Sequence, residues 1–179
     1  MILHYNSLLI DSIEYKLSEL QIEKRREFIK ILNKLVHKLK FRSQTFYLAC
    51  FYFDYIIKFN KEIKIENAAI GSLILATKFD EIDSFFPDLF QFEIVSNKIF
   101  INIEDLKKSE IICLSTLNYR LNHFTSYHFI NFFFSIGIVF TDDKVYIDTM
   151  DEFLPINYKI AEKVYDITKE VLLYFIEGN

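Results

Sequence analysis

Turn-forming residues are scarce in this chain: three glycines and two prolines among 179 residues. A sandwich or barrel of many short strands needs far more of them, so little is left for turn-rich β architecture and helices joined by short polar loops are expected. Gly71, Gly137 and Gly178 stand alone, which leaves no glycine-rich loop to cradle a phosphate. The two cysteines, Cys50 and Cys113, fall within apolar helical patterns, so no disulfide framework is suggested and a reducing, intracellular setting is expected. Four scattered histidines supply no metal-ligand spacing, and neither a metal nor a cofactor is expected. An excess of basic charge is missing too. The net charge is −4 and the pI about 5.6, which weighs against work by phosphate neutralisation on nucleic acid. The opening MILHYNSLLIDSIEY lacks the basic start and small-residue cleavage site of a signal peptide. One run, His123 to Thr141, carries no Asp, Glu, Lys or Arg and has nearly the length of a membrane span. Its two histidines, asparagine and hydroxyls favour a core-facing helix that ends near Gly137, and no membrane association is expected.

What the chain has is apolar residues at helical spacing. Hydrophobic residues make up 51% and aromatics 17%, enough for a sizeable core in one domain. An amphipathic N-terminal helix is expected over Ile2 to Leu17, and four or five helices between Glu23 and Leu121. From Ile22 the first of these stripes runs through Phe28/Ile29, Leu32, Leu35/Val36 and Leu39. The next helix opens near Ser43, a plausible N-cap, with Phe46, Ala49/Cys50, Phe53 and Ile56/Ile57 inward. Glu66 to Phe79 (ENAAIGSLILATKF) is apolar nearly all round, so it is predicted to be the central, most buried helix, with Gly71 at a close helix crossing. A helix over Ile103 to Leu121 turns Leu106, Cys113/Leu114 and Leu117 inward. A short helix is predicted at Pro87 to Phe92, another at Ser126 to Ile136, a weak one at Asp143 to Phe153, and a last one from Pro155. The last carries the stripe Ile156, Ile160, Val164, Ile167, Val171, Tyr174/Phe175.

Four charges lie on or beside these stripes: Arg25, Asp54, Lys78 and Glu110. A charge taken out of water costs several kcal/mol (~3–5 on losing its partner), so it is kept there for a structural or a binding reason. Read alone, Lys78 is a helix C-terminal cap complementing the dipole, and Glu110 the edge of a solvated face. His128 and Cys113 are read as core-lining residues and not as a nucleophile pair, because nothing orients them. The carboxylates Asp80, Glu81 and Asp83 are read as a solvated acidic edge where a helix ends. No catalytic constellation emerges, and the chain is not expected to be an enzyme.

The segment from Lys24 to Leu121 resembles the cyclin box, the five-helix module of cyclins. The resemblance is carried by KRREFIKILNKLVHKLKFRSQTFYLACFYFDYII, by IGSLILATKFDEI, which is similar to the family's LLASKFEE, and by LKKSEIICLSTLNYRLN. It implies an all-α fold divided into an N-terminal helix (1–19), a cyclin box (20–122) and a helical C-terminal extension (123–179) that holds part of a second cyclin-like repeat. It implies that Arg25 and Asp54 form the family's buried Arg–Asp pair, an internal strut. Lys78 and Glu110 fall on the lysine and glutamate that, in cyclins, hydrogen-bond to the backbone of a cyclin-dependent protein kinase around its C-helix. The implied partner is such a kinase, in a heterodimer, and the implied location is the nucleus and/or cytoplasm.

The chain also departs from the pattern. Where many cyclins carry MRAIL and a tryptophan that form a substrate-docking groove, this one has Lys24-Arg25-Arg26-Glu27-Phe28 and Ile31. The connection from Asp80 to Asn102 is longer than in common cyclins, and too few residues follow Leu121 for a full second repeat. A transcription-factor-like or scaffold protein of the same fold, binding DNA or other proteins, is the competing expectation. The acidic balance and the lack of a zinc ribbon count against it.

Overall fold

The structure, a computed structural model, describes residues 19–82, 103–136, 144–147, 152–155 and 158–178. The helices expected at Ile2 to Leu17 and Pro87 to Phe92 lie outside these residues. Six helices and one hairpin are described: α1 (Glu19–Leu39), α2 (Ser43–Phe59), α3 (Ile65–Asp80), α4 (Ile103–Thr116), α5 (Ser126–Ile136), β1 (Lys144–Ile147), β2 (Glu152–Pro155) and α6 (Tyr158–Glu177). Everything described between residues 20 and 122 is helix, turn or loop, as an all-α box requires.

The core sits around α3, where every residue from Ala68 to Thr77 is buried. This helix packs against α1, α2 and α4. Its all-round apolar sequence allows that position, because no face of it needs water. Ile29 and Leu32 of α1, Tyr52, Phe53 and Ile56 of α2, and Cys113 of α4 are all fully buried. Each large aliphatic or aromatic side chain so placed contributes about 1.5–3 kcal/mol relative to exposure. Gly71 lies at the α3–α4 crossing: a Cβ there would stand 2.6 Å from Cys113 Sγ and 3.1 Å from Ser109 O.

Two helix ends close by the same device. Lys40 takes φ 58° and Asn118 φ 50°, in the left-handed region. Phe41 N then donates to Val36 O (3.0 Å) and Lys40 N to His37 O (3.2 Å), while Tyr119 N donates to Leu114 O (3.0 Å) and Asn118 N to Ser115 O (2.9 Å). These paired bonds satisfy carbonyls the helix leaves open. They also end α4 at Thr116, short of the predicted Leu121.

The region beyond the box differs from the sequence expectation in two respects. Where a weak helix was predicted over Asp143 to Phe153, β1 pairs antiparallel with β2 in the register Val145 to Leu154 and Tyr146 to Phe153. Val145, Tyr146 and Ile147 are β-branched or aromatic, and Pro155, which has no N–H, stands at the strand end where none is needed. Helix α6 forms, but the stripe Val164, Ile167, Val171, Tyr174 and Phe175 is exposed, from 37% at Val164 to 70% at Phe175. Leu172, Leu173 and Ile176 are what pack against the core. In α5, Tyr127 stacks on Tyr47 with centroids 4.9 Å apart, whereas Phe129, Phe132 and Phe133 are exposed. No described helix is long and apolar enough to cross a membrane.

Candidate functional site

Lys78 and Glu110 are 32 residues apart in sequence, yet Lys78 Nζ stands 2.5 Å from Glu110 Oε1. Lys78 lies in the last turn of α3, and Glu110 lies midway along α4. The Gly71 crossing brings the two helices close enough for this pairing. The lysine side chain is 44% exposed and the glutamate 19%, so the pair is partly open to solvent. Exposed apolar side chains follow each of them in the chain: Phe79 and Ile82 after Lys78, Ile111 after Glu110.

The end of α3 that carries Lys78 is held by a cluster that the sequence reading took for a solvated edge. The Asp80 and Glu81 side chains are each only 7% exposed. Arg42 N donates to Glu81 Oε1 (2.7 Å), and the Arg42 guanidinium lies 3.4 Å from Asp80 Oδ2 and 3.3 Å from Glu81 Oε2. Gln44 Nε2 donates to Asp80 Oδ1 (2.7 Å). The Thr45 hydroxyl, with one proton to give, is 2.8 Å from Asp80 Oδ2 and 2.5 Å from Glu81 Oε1. The physical reason is the N-terminus of α2. Its first turn contains no acidic residue and Arg42, at the N-cap, makes no side-chain cap bond. Open N–H groups and the positive end of the dipole therefore attract the two carboxylates from α3. That unmet need in the sequence SQTF was the signal available. The predicted N-cap, Ser43, is instead the first helical residue. Asp83 lies outside the described residues.

Arg25 and Asp54 form a side-on, two-pronged pair: Nε to Oδ1 at 2.6 Å and Nη2 to Oδ2 at 2.8 Å. The pair is part-buried, shallower than the sequence expectation of an internal strut. Arg25 is 18% exposed and Asp54 42%, because Asp54 borders the α2 stripe and looks outward. Arg25 also donates Nη1 to Ile176 O in the last turn of α6 (2.9 Å), and Arg26 Nη2 bonds Gly178 O. The pair thus joins α1, α2 and the end of α6, where cations complement the open carbonyls. Its hydrogen bonds to Asp54 push the Arg25 pKa up against the opposing effect of burial.

His128 and Cys113 serve different neighbours. His128 Nδ1 accepts from Thr125 N (3.1 Å) and lies 2.8 Å from the Thr125 hydroxyl, closing the N-terminus of α5. Cys113 is packed against Gly71 and Ala68 O. Burial, with a lesser push from Glu110, raises its thiol to about 12, and burial also raises Cys50 well above the ordinary thiol range, so neither is a ready nucleophile.

Comparison with known proteins agrees with this arrangement. Residues 6–122 match the family of the cyclin N-terminal domain. The chain is 27% identical to Cyclin-D1-1 of Arabidopsis thaliana over 124 residues, which is 66% of this chain and 36% of that protein. It therefore spans about a third of the length of this relative. Cyclins are generally non-catalytic regulatory proteins. The match over residues 6–122, which takes in the whole of the helical box, places the chain in the cyclin family.

Proposed function

We propose that this protein is a regulatory subunit that binds and activates a cyclin-dependent Ser/Thr protein kinase, in cell-cycle control, and has no catalytic activity of its own. The observation that carries the reading is the accessible Lys78–Glu110 pair at the α3–α4 junction of a cyclin box. In the complex each would exchange its partner for backbone groups around the kinase C-helix. Opening a solvent-exposed ion pair costs only about 0–1 kcal/mol. Each charge-assisted bond to a backbone group in a dry interface is worth about 1.5–3 kcal/mol. The exchange is therefore favourable, and before docking each side chain holds the other close to its working position. Phe79 and Ile111, the exposed residues that follow Lys78 and Glu110 in the chain, would supply the apolar contact.

Activation follows as differential binding. A kinase whose active conformer is rare becomes mostly active if the regulatory subunit prefers that conformer by about 5.5 kcal/mol. Turning the C-helix inward aligns the kinase Lys–Glu pair and its metal-binding Asp, which the phosphoryl transfer requires. The chain itself supplies position and no reacting group. The test is reconstitution: the purified chain is mixed with each cyclin-dependent kinase of its source organism, and co-elution and phosphate transfer to a peptide are measured. A stable complex with at least one kinase, more active than that kinase alone, is expected. Absence of both with every kinase would reject the reading.

A further inference from the structure

A concave pocket of about 310 Å³ opens at the other end of α3, between α1 and the turn that joins α2 to α3. Its apolar lining, Ile57 and Ile63 among it, is part-buried against the core. Its rim is basic. Lys24 of α1 and Lys61 and Lys64 of the turn all line it, and among the described residues Glu66 is the one acidic lining residue. This leaves two positive charges gathered at one concavity in a chain whose net charge is −4. Lys24 and Lys64 are exposed, and among the described residues neither is in a salt bridge. Like charges in excess at one concavity repel one another, and a bound anion would relieve that repulsion.

We propose that this pocket binds a phosphorylated serine or threonine in a peptide segment of a partner protein, with an apolar residue beside it. The charge matches: a phosphoryl group carries about −1.5 to −2 near neutral pH. Lysine binds phosphate as a mobile point charge, so the flexible ammonium groups of Lys24 and Lys64 on one concavity suit a tetrahedral dianion. Ile57 and Ile63 offer a floor for the neighbouring apolar side chain. The volume is at the lower end of the range for small-ligand sites, about 300–1,000 Å³, enough for a phosphoresidue and one neighbour but not for a folded domain. Glu66 repels a second acidic residue at its side of the rim and so sets the polarity of the segment. Glu66 and Lys78 are about 18 Å apart along α3 at about 1.5 Å per residue, so a phosphopeptide and a protein docked on Lys78 and Glu110 need not collide. The pocket's occupancy does not rest on the kinase reading.

The experiment is fluorescence anisotropy on the full chain with a labelled peptide. Its one phosphothreonine is flanked by isoleucine and otherwise by neutral residues. The controls are the same peptide without phosphate and a single-stranded RNA of equal net charge. The phosphopeptide should bind about tenfold more tightly than its unphosphorylated form. Affinity should fall as salt rises from about 50 to 300 mM. Lys24→Glu with Lys64→Glu should reduce it about tenfold or more, and the milder Lys24→Gln with Lys64→Gln by several-fold. Glu66→Gln should tighten it, and Lys78→Ala with Glu110→Ala should leave it unchanged. Circular dichroism melts should show every variant folded, since the substituted lysines are exposed. Equal binding of the two peptides, undiminished binding by both lysine variants, or tighter binding of the RNA to the same residues would overturn the proposal.

Discussion

Replacing Gly71 by alanine would drive a methyl group into the tightest contact between α3 and α4. The new Cβ would lie 2.6 Å from Cys113 Sγ and 3.1 Å from the Ser109 carbonyl oxygen. Comfortable contact between heavy atoms is about 3.5–4.0 Å, so the sulfur must withdraw by roughly 1 Å. It has little room to do so, being fully buried and packed toward Ala68 O at 4.0 Å. The Ser109 carbonyl is backbone and moves only with α4 itself. Two effects compete. Alanine in a helix interior gains about 1 kcal/mol over glycine. Overpacking a dense core costs about 1–3 kcal/mol, and here the obstacle includes backbone, so the upper half of that range applies. The expected net loss is about 1–2 kcal/mol, or a Tm about 2–8 °C lower for a chain of this size. Thermal melts of four proteins decide the matter: parent, Gly71→Ala, Cys113→Ala and both together. Removing the sulfur should relieve part of the clash, giving a favourable coupling of about 1 kcal/mol. A Gly71→Ala variant that melts higher than the parent, or single effects that simply add, would refute the close crossing that sets Glu110 beside Lys78.

Three other outcomes are expected. Arg25→Ala should destabilise by about 1–2 kcal/mol and not the ~3–5 of a buried pair, because Asp54 is 42% exposed and the pair is screened; an unchanged Tm in low salt would show that the three-helix junction contributes nothing. Lys40→Gly should raise stability by about 0.5–1 kcal/mol, since the φ of 58° strains a side chain but not glycine; a lower Tm would contradict that. Stability should also decline on acidification through His123. Burial beside Phe51, whose centroid is 4.6 Å away, holds its pKa below the ordinary 6.5, against the opposing pull of its bond to Arg120 O. Below 6.5 the unfolded chain takes up the proton first, so the His123 contribution is complete above that pH and is lost as pH falls through the folded value. Melts from pH 7.5 to 5 should therefore show a smaller decline for His123→Phe than for the parent.

How much could be read from sequence depended on whether the cause was local. Helix α3 was legible because its apolar residues leave no face for water, and only a central position satisfies that. Its crossing at Gly71 was legible because the one glycine within it needed a packing reason. Depth was harder to read. A stripe fixes the side of a helix a residue lies on, not how far below the surface, so Asp54 was expected inside and stands at the boundary. Asp80 and Glu81 were misread because what desolvates them comes from nearly forty residues earlier, at Arg42, Gln44 and Thr45. Helix α6 was found by its periodicity, yet the face that packs is Leu172, Leu173 and Ile176, a choice made by α1 and α5. The hairpin was missed because charged residues among the apolar ones resemble a helical period over so short a stretch. That Lys78 and Glu110 serve one contact is what the cyclin resemblance implied; periodicity alone does not juxtapose residues 32 apart.

The central claim concerns Lys78 and Glu110 as the contact with a kinase, and the most direct measurement is the affinity of the double variant Lys78→Ala, Glu110→Ala for the kinase that the parent chain activates. Isothermal titration gives the affinity, and peptide phosphorylation gives the activity. Loss of two charge-assisted bonds worth about 1.5–3 kcal/mol each predicts binding weakened on the order of a hundredfold or more, with activation lost in parallel. The Tm should fall by no more than a few degrees, since the pair is solvent-accessible. A double variant that binds and activates as well as the parent would contradict the account.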